Sequence, residues 1–159
     1  MGVSGSGKTT IGKLLAEKTG YAFFDADNFH PPENIAKMNA GIPLTDEDRV
    51  PWLQQINLFV IEKLQYQPLI FVCSALKEAY RNQLSQSITT HTRWVLLAGD
   101  YNTILNRLNY RADHYMPPSL LASQFAALEL PEHALQIDIT NSPMAMVASI
   151  MKTFSLQAI

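Results

Sequence analysis

The feature that most constrains the fold lies at the start of the sequence. Residues 2–9 read GVSGSGKT and match the pattern G-x-x-x-x-G-K-[ST] at every fixed position. Glycines in such a loop let consecutive backbone N–H groups curl around phosphate oxygens without clashes from Cβ atoms. Apolar residues at helical spacing follow over residues 8–18, which predicts a helix whose positive N-terminus also favours anions. The pattern therefore predicts a phosphate-binding loop of the Walker A type.

Each residue of this loop has an expected part in binding a nucleotide and its metal ion. Lys8 would place its charge on the β- and γ-phosphates, and the Thr9 hydroxyl would bind Mg²⁺. The other expected contacts come from the loop and the first helical turn, at Gly2, Val3, Ser4, Gly5, Ser6, Gly7 and Thr10. We therefore predict ATP and Mg²⁺ as cofactors. The alternative is a glycine-rich turn that only caps a helix.

Strands alternate with helices along the rest of the chain. Short apolar runs predict strands at residues 21–24, 69–73, 94–97 and 135–139. Thr45 followed three residues later by Asp48 predicts the start of a long helix, and another helix is predicted at about residues 76–85. The run at residues 69–73 is apolar throughout, which is typical of a strand covered on both faces. We therefore predict an α/β fold with a parallel sheet flanked by helices, in a single domain over residues 1–159. Only Met1 precedes the loop, so the first strand, which normally leads into such a loop, is expected to be missing. Either the chain is a shortened version of a longer protein, or its sheet closes in an unusual way.

Composition narrows the class of partner. The chain has 12 basic and 14 acidic residues, a net charge of −2 and a hydrophobic fraction of 47%, as in ordinary globular proteins. A slightly acidic chain lacks the dense positive charge of a dedicated nucleic-acid binder. No apolar run approaches the ~20 residues that a bilayer crossing needs, and the single cysteine, Cys73, cannot form an internal disulfide. We predict a cytoplasmic protein that binds a small molecule, with neither nucleic acid nor membrane as partner.

Two carboxylates follow the strand predicted at residues 21–24. Asp25 and Asp27 come directly after it, and strand ends in an open parallel sheet point into the crevice where ligands bind. One carboxylate could orient Mg²⁺ through water while the other accepts the proton of an attacking hydroxyl. The alternative is a pair of turn residues or helix-capping acids.

Further motifs extend from the loop across nearly the whole chain. The first group comprises residues 25–31 (DADNFHP), Asn34, Lys37, Met38, residues 41–44 (GIPL), Asp46, Asp48, Arg49 and residues 51–53 (PWL). The second comprises residues 73–77 (CSALK), Tyr80, Arg81, Gly99, Asp100, Arg107, Arg111, His114, residues 123–125 (SQF), Leu128 and Glu129. Together these motifs resemble those of the gluconokinase family. The departures are the missing first strand and Tyr115, which stands where the family usually has Phe.

This resemblance implies ATP-dependent phosphorylation of D-gluconate at its 6-hydroxyl, by a homodimer with a nucleoside-monophosphate-kinase-like P-loop fold. It also implies an acceptor-binding helical segment at about residues 31–66 and a lid at about residues 107–118. A related hydroxy-acid or polyol kinase, for instance one resembling shikimate kinase, is the alternative within the same class. A truncated nucleotide-binding module without catalytic activity is the alternative outside it.

The resemblance also suggests roles on the acceptor side. Similarity to related small-molecule kinases makes Asp27 the expected base or hydroxyl-orienting group and leaves Asp25 for Mg²⁺. Gluconate carries a carboxylate, which the planar guanidinium of Arg49 can bind in a bidentate fork. The alternative for Arg49 is a surface residue in the first turn of its helix. His30 and His114 are further candidates for substrate contacts, or they fill polar niches.

Two pairs of cations share a helical spacing of i, i+4. Lys77 and Arg81 lie just beyond a predicted strand end and could add positive charge at the sugar acid or the phosphates, or be ordinary solvated side chains. Arg107 and Arg111 resemble the lid arginines that close over ATP and stabilise the transferring phosphoryl group. The alternative for these arginines is a pair of helix-end cations at the C-terminal dipole. The predicted catalytic groups are thus Lys8, Asp27, Arg107 and Arg111.

Overall fold

The computed structural model describes residues 1–110 and 118–159. The strands are β1 (Ala22–Asp25), β2 (Leu69–Val72), β3 (Val95–Ala98) and β4 (Leu135–Asp138). The helices are α1 (Lys8–Thr19), α2 (Pro32–Asn39), α3 (Asp46–Leu64), α4 (Glu78–Leu84), α5 (Tyr101–Asn109), α6 (Pro118–Ala127) and α7 (Pro143–Thr153). Short 3₁₀ turns cover Ala26–Phe29 and Thr89–His91. None of the helices in these two ranges combines the length and the apolar character that a bilayer crossing requires.

The strands form parallel pairs with helices between them. β1 pairs with β2, so that Ala22 lies opposite Leu69. β3 pairs with β4, so that Val95 lies opposite Leu135. In the described part of the chain each pair is a separate two-stranded sheet. The predicted α/β fold with parallel strands is confirmed, but the strands do not join into one sheet.

The residues at the start of the chain bridge the two sheets. The Met1 amino group donates to the Val95 carbonyl at 2.6 Å, and the Met1 carbonyl accepts from the Leu97 amide at 3.0 Å. On the other side, the Gly2 amide donates to the Ser74 carbonyl at 3.1 Å. Within the described residues no strand precedes the phosphate loop. Met1 and Gly2 therefore supply only a short ladder between β2 and β3.

A cavity of about 500 Å³ lies beside this bridge, between β2 and β3. Its walls are mostly apolar and include Ile70, Phe71 and Val95. Of the residues predicted to bind ligands, only Lys8 borders it among those described. Protein interiors are normally close-packed, so a gap of this size between two strands departs from ordinary core packing.

Helix boundaries follow local signals in the sequence, with one shift that affects the site. Thr45 and Asp48 form the capping box expected at the start of α3, because each side chain accepts from the backbone amide of the other. α4 begins at Glu78, later than predicted, because Ala75 has a left-handed conformation (φ 44°) and Lys77 is extended. The loop between β2 and α4 therefore ends on Lys77.

Two buried clusters support the two halves of the site. One lies among α1, α5, α7 and the β3–β4 pair, and it includes Leu97, Ile104 and Ile139. The other lies under α3 and α4 and includes Trp52 and Ile56. Full burial of one such side chain stabilises the fold by about 1.5–3 kcal/mol. The phosphate loop packs on the first cluster, and the acceptor-side residues pack on the second.

Candidate active site

The phosphate loop is a tight turn packed against α5. Gly5 has a φ of 80°, and a Cβ atom there would lie 2.9 Å from Cγ of Leu108. Gly7 is the N-cap of α1 with a φ of 97°, and a glycine has no side chain that could bind the N–H groups of the first helical turn. The N-terminus of α1 is thus built to bind an anion.

Lys8 and Ser6 line the inside of this loop. Lys8 Nζ donates to the Val3 carbonyl at 3.0 Å, so its charge lies within the curl of the loop. Ser6 is fully buried and its Oγ has no hydrogen-bond partner. Among the described residues, the only other buried side-chain atom in this condition is Nδ1 of His30. A buried polar atom without a partner costs about 1–3 kcal/mol, so each atom marks a place where a polar ligand would stabilise the protein.

The predicted magnesium ligands lie side by side. Thr9 Oγ1 donates to Asp25 Oδ2 at 2.9 Å, and Asp25 Oδ1 accepts from the Asp27 amide at 3.1 Å. Hydroxyl and carboxylate oxygens are the hard ligands that Mg²⁺ prefers. The donor set therefore fits this ion. The same contact joins the phosphate loop to the turn that carries Asp27.

His30 is held near Asp27 by stacking on Trp52. The centres of the two rings are 4.1 Å apart, and their planes are inclined by 12°. Trp52 is fixed in turn, because its indole N–H donates to the Ala26 carbonyl at 3.0 Å. Burial lowers the pKa of His30 most, while the Asp27 charge raises it and the Arg49 charge lowers it further. The imidazole is therefore mainly neutral at pH 7 and offers one donor and one acceptor.

Arg49 and Lys77 meet around Tyr80. The Arg49 guanidinium lies 5.4 Å from the centre of the Tyr80 ring and donates to its hydroxyl at 3.4 Å. It also donates to the Leu44 carbonyl at 2.6 Å. Lys77 Nζ binds the Asp46 carboxylate at 2.7 Å, and the Tyr80 hydroxyl donates to the same carboxylate. Hydrogen bonds from Lys77 and then Tyr80 lower the pKa of Asp46, which is therefore ionised at neutral pH.

The third cation predicted for the acceptor, Arg81, has a different environment. It is buried and donates to the carbonyls of Ala75 and Leu76 at 3.1 and 3.0 Å. These bonds hold the loop that ends on Lys77. The contacts present therefore make Arg81 a support of that loop, and the direct contact with substrate expected for it stays a prediction.

A second cavity, of about 380 Å³, adjoins the phosphate loop. Its lining residues are Gly5, Ser6, Gly7, Thr10, Ile11, Arg107, Tyr110, Asn141, Pro143 and Met146. Arg107 is fixed there by a hydrogen bond to the Ile139 carbonyl. The place suits the nucleoside part of a nucleotide whose phosphates lie in the loop. The sequence analysis missed Asn141 and Pro143; the one available signal was that they follow β4, whose carboxyl end opens into the crevice.

Part of the predicted site lies outside the described residues. This is true of Arg111, His114 and Tyr115, and of most of the lid expected at residues 107–118. The roles expected for Arg111 and His114 stay predictions.

Comparison with known proteins decides the family. A family model described as Shikimate kinase matches residues 4–131. The chain is 45% identical over 163 residues to the "Probable gluconokinase" of Dictyostelium discoideum, covering 94% of this chain and 82% of that protein. It is 49% identical over 134 residues to the "Thermosensitive gluconokinase" of Escherichia coli (strain K12), covering 83% of this chain and 71% of that protein. The chain belongs to the gluconokinase family.

A solved gluconokinase structure agrees with this assignment. The gluconokinase from Sinorhizobium meliloti 1021 superposes with a TM-score of 0.84 at 38% identity, covering 98% of this chain and 93% of that chain. The predicted family and the P-loop kinase fold are therefore confirmed. The predicted class of enzyme, a kinase, is confirmed with them.

Proposed function

We propose that the protein transfers the γ-phosphoryl group of ATP to the 6-hydroxyl of D-gluconate, which gives ADP and 6-phospho-D-gluconate. The observation that carries this proposal is the 2.9 Å hydrogen bond between Thr9 and Asp25. It holds the phosphate loop against the turn that carries Asp27, so the nucleotide end of the site meets the acceptor end. The names of the relatives described above support the same acceptor.

On the nucleotide side, positive charge lies where the phosphates would bind. Lys8 gives up its hydrogen bond to the Val3 carbonyl and binds the β- and γ-phosphates instead. The N–H groups at the start of α1 bind phosphate oxygens. Thr9 and Asp25 hold Mg²⁺, which when bound neutralises part of the phosphate charge. The nucleoside occupies the cavity beside Arg107.

On the acceptor side, the two ends of gluconate bind to different groups. Asp27 orients the 6-hydroxyl and accepts its proton as the 6-oxygen bonds to the γ-phosphorus. The bond from the γ-phosphorus to the β–γ bridging oxygen breaks, and ADP is released. Arg49 and Lys77 bind the gluconate carboxylate. Lys77 gives up its ion pair with Asp46 to do so. His30 binds a hydroxyl between the two ends.

A coupled ADP-release assay over a panel of acceptors tests this proposal. We expect turnover with D-gluconate, identified by formation of its 6-phosphate, and poor turnover with glucose, which lacks the carboxylate. Shikimate belongs in the panel because a Shikimate kinase model matches the chain. A preference for shikimate, or no transfer to gluconate at saturating ATP, contradicts the proposal.

We also propose a homodimer in the cytoplasm. The resemblance to the family supports the homodimer. The buried free thiol of Cys73, whose pKa is raised to about 11 mainly by burial, is compatible with a reducing compartment. Light scattering of the purified protein tests the dimer by measuring its mass in solution. A monomer mass at micromolar concentration contradicts the proposed homodimer.

A further inference from the structure

Gln124 contacts the phosphate loop across 120 positions of the sequence. Its Oε1 accepts from the Ser4 amide at 2.7 Å, and its Nε2 donates to the Ser4 Oγ at 3.2 Å. Both bonds are partly buried, so water competes with them only weakly. Gln124 is therefore a side chain from another part of the fold that fixes both the backbone and the hydroxyl of a loop residue.

The helix that carries Gln124 is itself anchored. Leu121, one turn earlier on α6, is fully buried. Phe125 packs edge-on against Tyr101 of α5, with 5.4 Å between ring centres. α6 is thus held in place by contacts besides the two bonds to Ser4, which lets Gln124 act as an anchor for Ser4.

The chain just after α6 contacts the acceptor side of the site. The Glu129 amide donates to the Leu76 carbonyl at 2.9 Å, and the Glu129 carboxylate accepts from the Glu78 amide at 2.5 Å. These two partners flank Lys77, which we place at the gluconate carboxylate. Residues 124–129 therefore connect the loop that binds the donor phosphates with the loop that binds the acceptor.

Phosphoryl transfer depends on the separation of these two loops. The reacting atoms must come within about 3–3.5 Å, and a misplacement of about 1 Å can lower the rate by about 100-fold. A rigid connection between the loops sets that separation. We propose that Gln124 is a positioning residue that, together with Glu129, aligns the γ-phosphoryl group with the acceptor hydroxyl; this rests on the proposed function.

The substitution Gln124→Leu tests this role, because leucine has a similar size but makes neither bond to Ser4. We expect kcat with gluconate to fall by about 10- to 100-fold, while the KM values for ATP and gluconate change less than about threefold. We also expect more ADP released per 6-phosphogluconate formed, because a misaligned phosphoryl group is transferred to water more often. Gln124→Glu keeps an acceptor for the Ser4 amide, so it should retain more of kcat than Gln124→Leu.

Ser123→Ala is the matched control and should behave as the parent protein, since the hydrogen bond of the Ser123 hydroxyl among the described residues goes to the Leu120 carbonyl within α6. If Gln124→Leu fails to fold, Glu129→Ala tests the other end of the connection, and it should raise the same ratio of ADP to product. A parent-like ratio in folded Gln124→Leu and Glu129→Ala overturns the positioning role. Absence of gluconate phosphorylation by the parent overturns the proposed function instead, and the ratio is then measured with the acceptor that the parent phosphorylates.

Discussion

The tasks proposed for Asp27 and Arg49 are separate, and kinetics can distinguish them. Asp27→Asn keeps the size of the side chain but removes its basicity, so we expect kcat to fall by about 10²–10⁴-fold with little change in either KM. Arg49→Lys keeps the charge but loses the planar fork, so the KM for gluconate should rise while the KM for ATP stays nearly constant. Steady-state kinetics with each substrate varied in turn measures both effects. Equal increases in the KM values for ATP and gluconate in Arg49→Lys would contradict a role for Arg49 in binding the gluconate carboxylate.

His30 combines a cost in stability with an expected role in binding. His30→Phe preserves the stacking on Trp52 and removes the buried Nδ1 that lacks a partner. The melting temperature should therefore stay constant or rise, while the KM for gluconate increases several-fold. A falling melting temperature with an unchanged KM would make His30 a packing residue only.

His30→Phe should also change how the stability of the protein depends on pH. Burial holds the pKa of folded His30 below 6.5, so the unfolded chain binds a proton more readily than the folded one. Stability from this group is present above about pH 6.5 and is lost as the pH falls through the folded pKa. Denaturant unfolding should show a smaller loss of stability on acidification in His30→Phe than in the parent. An equal loss in both proteins contradicts this assignment.

At the scale of elements, Gly12 sets how closely α1 approaches the β1–β2 pair. A Cβ atom at Gly12 would lie 2.5 Å from Cγ1 of Val72 and 2.8 Å from Cε2 of Phe23. Alanine favours helices by about 1 kcal/mol over glycine, but overpacking typically costs about 1–3 kcal/mol. We expect Gly12→Ala to lower the free energy of unfolding, measured with denaturant, and Glu17→Ala on the exposed face of α1 to leave it unchanged. A gain in stability for Gly12→Ala would show that β1 and β2 move enough to make room for the added methyl group.

Elements with local signals could be predicted, and those fixed by distant contacts could not. The box of Thr45 and Asp48 depends on a spacing of three residues, and the structure reproduces its contacts. Thr9 and Asp25 are in contact although 16 positions separate them, and their role at Mg²⁺ stays a prediction. The start of α4 was placed too early, because buried Arg81 binds the Ala75 carbonyl and holds the preceding loop. Gln124 carries no signal at all for its contact with Ser4, since only the tertiary fold brings them together.

At the scale of the whole molecule, the cavity between β2 and β3 predicts how the protein responds to residues added ahead of Met1. An extension of about five apolar residues spans roughly 17 Å as a strand, and the cavity of about 500 Å³ lies between two strand edges that could pair with it. We expect a higher melting temperature and tighter ATP binding, because the added strand would hold the phosphate loop. A Gly-Ser extension of equal length is the control, because it lengthens the chain equally but buries no apolar surface. Equal melting temperatures for the apolar and Gly-Ser extensions would show that the cavity does not accept a strand.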